Sequence, residues 1–256
     1  MDKLIHTALN SMHSAKIRQN VSSQNLSNAQ VAGYRGDEIS GRFGSLYLQS
    51  DRQHESRVFN KQSEPGLFST KPGELRETSQ PTDIAIVGDG YFLTENANGK
   101  LGFSRRGDMS VGVDGILVDG SGVNVLDTSL NPINVPPFRK IFVSEDGKIY
   151  IQPVGAEPGT RQQINQIALT SSEGLDLVKG SDGVIQPKGG FVREEFNPDQ
   201  SARVKQGFLE SSNVSVFNEL VNNVEIQKHY QLNVKLISLA KKLDEAGASL
   251  MKLPGG

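Results

Sequence analysis

Cysteine is missing from all 256 residues, and tryptophan with it. Without Cys there is no disulfide, no thiolate metal site and no cysteine nucleophile, and the redox state of the compartment leaves no mark on the chain. Histidine is scarce: His6, His13, His54 and His229 lie far apart, with no HxH or HxxxH pair to hold a metal. Excess charge is lacking too. A net charge of −2 gives no electrostatic footing for nucleic acid or for an anionic membrane surface. No stretch approaches the ~18 apolar residues that would span a membrane. The opening MDKLIHTALNSMHSAKIRQN breaks its apolar pattern with charges, so no cleaved secretion signal is expected. Aromatics make up 6%, against 27 Gly and 11 Pro, which favours turns and short strands over a helical bundle.

What is present falls into three regions. Between Leu4 and Leu26, apolar or small residues recur at Ile5, Ala8, Met12, Ala15, Gln19, Ser22 and Leu26, in the alternating steps of three and four that make a heptad seam. Near the other end Phe217, Leu220, Val224, Gln227, Gln231 and Val234 repeat that spacing, with Val221, Tyr230 and Ile237 widening the stripe. Asn213 or Ser215 would cap this second helix. Between the helices, residues 36–80 carry scattered charge, Gly and Pro and read as extended chain with short turns. From Asp83 to Lys205, short β-rich runs such as DIAIVGDGYFLT, GILVDG and KIFVSEDGKIYIQP alternate with Asp-Gly pairs at Asp114, Asp119, Asp146 and Asp182, where Gly would take the positive φ of a tight hairpin.

The expected fold class is mainly β with long terminal helices around a central all-β domain. Each terminal helix shows an apolar stripe that its own neighbourhood does not cover, and an isolated helix of this length is marginal in water. The two are expected to pair with each other or with other chains.

Enzymatic readings find little support. VGDGYF holds part of a dinucleotide fingerprint but lacks its third Gly and a following helix. The Asp-Gly pairs sit in no calcium-loop pattern. Acidic residues such as Asp176, Asp182, Glu194 and Glu195 could serve a carboxylate-based hydrolase, yet nothing places any two of them together. A secreted β-rich binding module explains the middle of the chain and leaves the terminal stripes idle. No catalytic residue, cofactor or metal site is expected.

Four motifs point elsewhere. NVSSQNLSNAQVAGYR ends the first helix in small amides and hydroxyls, and resembles the NNLANxxTxGF/Y signature of the flagellar axial rod and hook family through Asn25, Leu26, Asn28, Gly33 and Tyr34. PGELRETSQPTDIAIVGDGYFLT resembles the family's entry into its β domain through Gly73, Leu75, Thr78, Asp83, Ala85, Ile86, Gly88 and Gly90. FSRRGDMSVGVDGILVDGSGVNVLD resembles the next element through Arg106, Gly107, Gly115, Leu117, Val118, Gly120 and Val125. GFLESSNVSVFNELVNNVEIQKHYQLNVKLI resembles the C-terminal signature through Gly207, Leu209, Glu210, Ser212, Asn213, Val214, Glu219, Gln227 and Tyr230. The MDKLIHTAL opening and the irregular stretch 155–188 are more similar to proximal-rod members than to distal-rod members, the nearest rivals.

The resemblance implies a structural subunit of the flagellar basal-body rod that self-assembles and carries motor torque toward the hook. It divides the chain into an N-terminal axial helix (1–35), an extended linker (36–80), a central β domain (81–205) and a C-terminal axial helix (206–256), the two helices pairing as a coiled-coil-like axial core. It implies passage through the flagellar type III export apparatus and residence in the periplasmic rod. Other rod proteins are the implied partners, with ring proteins around the rod as further neighbours and no nucleic acid. Inter-subunit contacts are expected at Ile5, Met12, Asn25, Leu26, Asn28, Gly33, Tyr34, Leu209, Asn213, Val214, Leu220, Val224, Gln227, Tyr230, Val234 and Ile237. Short Asn and Ser side chains suit such contacts because they bond a neighbouring backbone without bulk.

Overall fold

A computed structural model describes residues 2–39, 43–47, 56–60, 66–157, 159–171, 174–180, 182–191, 193 and 198–251. The chain opens with α1 (Asp2–Ser27) and closes with α2 (Val216–Met251). Strands fill the interval: β1 (Phe43–Tyr47), β2 (Ser56–Asn60), β3 (Leu75–Glu77), β4 (Ile84–Val87), β5 (Tyr91–Glu95) and β6 (Leu101–Ser104) come first. Next are β7 (Ser110–Val111), β8 (Leu117–Val118), β9 (Asn124–Val125), β10 (Phe138–Val143), β11 (Lys148–Pro153) and β12 (Gln162–Gln166). The last are β13 (Leu169–Thr170), β14 (Leu177–Lys179), β15 (Ile185–Pro187), β16 (Arg203–Gln206) and β17 (Phe208–Glu210). The protein is thus mainly β with a helix at each end. Two compact units emerge, one of Met1–Ser27, Asp37–Glu64 and Ser215–Gly256, the other of Asn28–Gly36 and Pro65–Val214.

In the first unit, α1 runs without Gly or Pro to Ser27, whose hydroxyl donates to the Gln24 carbonyl at 2.9 Å. Of the two candidate caps for α2, Ser215 takes the role. Its Oγ accepts from the Asn218 N–H at 3.4 Å and its carbonyl from the Glu219 N–H at 3.0 Å, satisfying donors at the first turn. The helices run antiparallel where they meet, since Asn223 Nδ2 donates to Ser22 Oγ at 3.0 Å and Asn233 Nδ2 to Ser11 Oγ at 2.9 Å. Within the stretch read as extended chain and turns, β1 pairs antiparallel with β2, Phe43 opposite Asn60 and Tyr47 opposite Ser56. Pro65 and much of residues 40–64, on which that reading also rested, lie outside the described residues.

The second unit is built of short strands. An eight-stranded sheet follows the order β14-β15-β6-β5-β9-β8-β7 with β13 on β5, and β10-β11-β12 form a separate antiparallel sheet. β5 lies between two cores: period-two alternation sends Phe92 into one with Ile84, Val125, Ile149 and Leu169, and Tyr91 and Leu93 into the other with Phe103, Leu126 and Ala168. Both faces of β5 are therefore buried, which is why YFLT carries no alternating polar face. Chain order does not decide pairing in the two-stranded sheets, where β16 pairs β4 and β17 pairs β3, so residues 203–210 return to strands far earlier in the β unit.

Three of the four Asp-Gly pairs turn as expected, with φ of 79° at Gly115, 77° at Gly147 and 79° at Gly183. At Asp119 the left-handed residue is instead Gly122, φ 81°, because the Asp119 carboxylate accepts from the N–H groups of Ser121 and Val123 and draws the turn on. Gly120 serves a close approach, since a Cβ there would lie 2.0 Å from Asp108 Oδ2.

Candidate assembly surface

The amide-rich end of α1 divides between the two units. Asn25 stays with the helices and is buried. Its carboxamide behaves as a strand partner would, taking the Asp37 N–H at 2.8 Å and giving to the Asp37 carbonyl at 3.0 Å, while Nδ2 also reaches Glu219 Oε1 at 3.1 Å. Ser22 donates to the same carboxylate. Glu219, in the first turn of α2, thus gathers two polar side chains of α1 and faces the positive end of its own helix dipole.

The seam between the helices is consequently polar and small. On α1 its buried residues are Ala8, Ala15, Ser22 and Asn25, with Ile5, Met12 and Leu26 half-buried. On α2 the less exposed positions are Glu219, Asn223, Ile226, Asn233, Ile237 and Ala240. Of the expected stripe, Ile237 lies on this seam, whereas Leu220, Val224 and Val234 sit one residue past Glu219, Asn223 and Asn233, a turn of about 100° on a helix of 3.6 residues per turn. Leu220 and Val224 are each 50% exposed, Val234 is 45% and Phe217 is 74%; Gln227 and Tyr230 are exposed as well. Among them, Gln227 and Tyr230 help line a groove of about 650 Å³ along the helix pair, with Met12, Leu9 and Ile226. A helix that turns Asn and Ala toward its partner and Leu and Val toward solvent has its main apolar surface uncovered.

Asn28, Gly33, Tyr34, Leu209, Asn213 and Val214 belong to the β unit, where the two signature segments meet. Gly33 adopts φ 66° and donates its N–H to the Glu210 carbonyl at 2.7 Å. A Cβ at Gly33 would stand 2.1 Å from the Arg105 carbonyl oxygen, so backbone contact as well as left-handed conformation demands glycine. The Asn213 side chain bonds two segments of chain: its Oδ1 accepts from the Gly36 N–H at 2.8 Å, and its Nδ2 donates to the carbonyls of Ser69 at 3.2 Å and Lys71 at 2.9 Å. Its own N–H reaches the Tyr34 carbonyl at 3.2 Å. Tyr34 lies under the Lys179 ammonium, 4.0 Å from the ring centre. Asn28, Tyr34, Leu209 and Val214 are half-buried.

Beneath these residues lies a charge cluster that sequence reading passed over. Glu210, 2% exposed, places Oε1 2.8 Å from Arg35 Nη2 and Oε2 3.0 Å from Arg105 Nη1. The Gly73 N–H also donates to Oε1, at 2.8 Å. Arg35 donates further to the Lys71 carbonyl, and Arg105 to the carbonyls of Ile86 and Gly88. Burial pushes the Arg105 pKa below its ordinary value, with Glu210 opposing that shift. Burial likewise raises the pKa of Tyr91, whose ring lies 5.5 Å from the Arg105 guanidinium carbon. The one sequence signal was that Glu210 falls in GFLESSN, the opening of the C-terminal signature.

The charged groups are engaged with each other and with backbone carbonyls. Among the described residues no three His, Asp or Glu side chains gather as metal ligands, and no helix is long and apolar enough to cross a membrane.

Comparison with known proteins agrees with the motifs. Residues 205–250 match the family described as flagellar basal body rod FlgEFG protein C-terminal, and residues 85–151 match the flagellar hook protein FlgE/F/G D1 domain. The flagellar basal-body rod protein FlgF of Salmonella typhimurium is 28% identical over 241 residues, covering 93% of this chain and 94% of that protein. The flagellar basal-body rod protein FlgG of Buchnera aphidicola subsp. Acyrthosiphon pisum is 28% identical over 244 residues, covering 89% of this chain and 92% of its own length. FlgG of Bacillus subtilis is 25% identical over 258 residues, covering 95% and 97% respectively.

Proposed function

We propose that the chain is a structural, non-enzymatic subunit of the flagellar basal-body rod, on its proximal side, and that its terminal helices form the axial, coiled-coil-like core with those of neighbouring subunits; the matches to the rod and hook families support this reading. The observation that carries the assembly reading is the mismatch on α2. Its intramolecular seam uses Asn223, Asn233 and Ala240, while Phe217, Leu220, Val224 and Val234 are left to solvent in the single chain. Covering a Leu or Val side chain stabilises by roughly 1.5–3 kcal/mol, and a row of them supplies the drive for association.

In this reading the terminal segments 1–35 and 206–256, which carry α1 and α2, are the axial parts, 81–205 the β domain and 36–80 the connection between them. The export route is the flagellar type III apparatus, the location the periplasmic rod, and the partners other rod proteins, with the surrounding ring proteins as outer neighbours. Torque passes through a rod whose subunits are locked together by their helices. Of the sixteen residues expected at inter-subunit contacts, Leu220, Val224, Gln227, Tyr230 and Val234 then face neighbours, and Asn25, Gly33 and Asn213 fix the backbone that presents them.

A distal-rod subunit is the second reading, favoured by the identity with FlgG of Buchnera aphidicola, which equals that with FlgF of Salmonella typhimurium at 28%. Imaging isolated basal bodies at side-chain detail separates the two. The proximal reading requires this chain on the motor side of the rod. Finding it only against the hook would replace that reading with the distal one.

A further inference from the structure

β10 is the outer strand of its three-stranded sheet, with β11 on one side only. Among the described residues its other edge carries no strand pairing: β16 approaches it at one end, where the Val204 N–H donates to the Glu145 carbonyl at 3.0 Å, and the side chain of Gln206 meets it alongside. The carboxamide of Gln206 accepts from the Val143 N–H at 3.2 Å and donates to the Ile141 carbonyl at 3.0 Å and to the Pro81 carbonyl at 2.6 Å. A primary amide placed this way offers β10 the acceptor and donor that a neighbouring peptide unit would offer. Beside it runs a groove of about 540 Å³ between residues 79–82 and 138–142. Phe138 and Phe142 supply apolar wall, and Arg139 and Lys140 are exposed along it, with no carboxylate in the lining. The Arg161 guanidinium rests on Phe142, 4.3 Å from the ring centre, and adds a third cation nearby.

We propose that this groove is a docking site for an extended, acidic peptide segment of another protein, which adds to the edge of β10 in the place Gln206 now holds. Strand addition at a free edge draws affinity from main-chain hydrogen bonds and specificity from the side chains that alternate along the added strand. Here the specificity is electrostatic: acidic side chains on the added strand meet Arg139 and Lys140. The same two cations repel the edge of a second copy of this chain, as charged residues on natural edge strands do, so the site selects against self-pairing. A side-chain amide is a weaker occupant than a continuous strand and leaves without breaking any strand of the protein's own sheets. The proposal goes beyond the rod assignment and concerns the β unit alone.

The test uses the full chain and a fluorescein-labelled, end-capped hexapeptide alternating Val and Glu, followed by anisotropy. Its controls are the same peptide with Lys for Glu, and one with alternate backbone nitrogens methylated. The acidic peptide should bind with a Kd below about 1 mM and shift the amide resonances of Ile141 and Val143 and the side-chain amide of Gln206. Lys140→Glu should weaken it several-fold, and Arg139→Glu with Lys140→Glu by about tenfold or more; both residues are exposed, and unchanged circular dichroism verifies that the variants fold. Methylation should abolish binding. Equal binding of the acidic and basic peptides, indifference to methylation, or failure of the acidic peptide to bind overturns the proposal. Self-association of a Gln206→Ala chain in preference to peptide binding overturns it as well, because the occupant would then be a second copy.

Discussion

Arg105 and Glu210 meet at 3.0 Å with their side chains 3% and 2% exposed, and Arg35 closes on the other oxygen of the same carboxylate. One anion therefore serves two buried guanidinium groups, one following α1 and one at the end of β6. Removing it leaves both cations in the interior with only carbonyls for partners. Glu210→Gln should cost the β unit about 3–5 kcal/mol in urea unfolding, the range for breaking a buried ion pair from one side. Replacing all three by Arg35→Met, Arg105→Met and Glu210→Leu should recover most of that loss, since nothing charged then stays buried. A Glu210→Gln chain as stable as the parent would show that the cluster is solvated.

Gly33 carries a second prediction. Its φ of 66° and the 2.1 Å gap between a Cβ and the Arg105 carbonyl oxygen set two separate penalties on any side chain. Gly33→Val should lower stability by at least about 1–3 kcal/mol from backbone strain alone, with a further loss from the displaced backbone. Since Gly33 lies within the β unit, the loss appears in that unit's own melting, and not solely in assembly.

Alkaline unfolding should report Tyr91. Burial raises its pKa, so the folded protein holds this proton to higher pH than the unfolded chain, which releases it near pH ~10. Its contribution to stability is complete below that pH and is lost as pH rises through the folded pKa. Tyr91→Phe has no proton to lose and should flatten the stability profile above pH ~10. On the acid side, Lys100 holds Asp182 below the usual carboxylate range. The contribution of Asp182 is present above pH ~3.9 and is lost as pH falls through the folded pKa, a shallow effect because the pair is exposed.

Amide exchange should divide the isolated chain. The β unit has two apolar cores, whereas the seam between α1 and α2 buries mainly Ala, Ser and Asn. Protection is expected across about residues 80–205, with much faster exchange across residues 5–26. Equal, strong protection of α1 in a monodisperse monomer would mean that the seam is sufficient by itself.

Both helices and the strand-rich middle were legible in the sequence, because periods of 3.6 and 2 are written in local order. The face of α2 that meets α1 was legible only at Ile237. Pattern reading ranks Leu220, Val224 and Val234 above Asn223, Asn233 and Ala240 as seam residues, and the chain uses the second set. That choice follows from amides that find Ser22 and Ser11 across the seam, a pairing that no single helix reveals. The Arg35, Arg105 and Glu210 cluster was hidden for a similar reason: Arg105 and Glu210 stand 105 residues apart, and isolated charges read as solvated surface. Gly33 is legible only as a position of the helix-end motif; its contact with Arg105 appears once the β unit is assembled.

The claim that matters most is that the apolar face of α2 is covered by other chains. Leu220→Asp and Val234→Asp change residues that are 50% and 45% exposed in the single chain, so the melting temperature of the β unit should stay unchanged. In the rod, each variant would bury an unpaired carboxylate, a cost that prevents docking. The deciding measurement is the amount of each variant in isolated basal bodies, relative to the amount found outside the cytoplasm. The account predicts export at the parental level with incorporation lost; both variants present in basal bodies at parental amounts would contradict it.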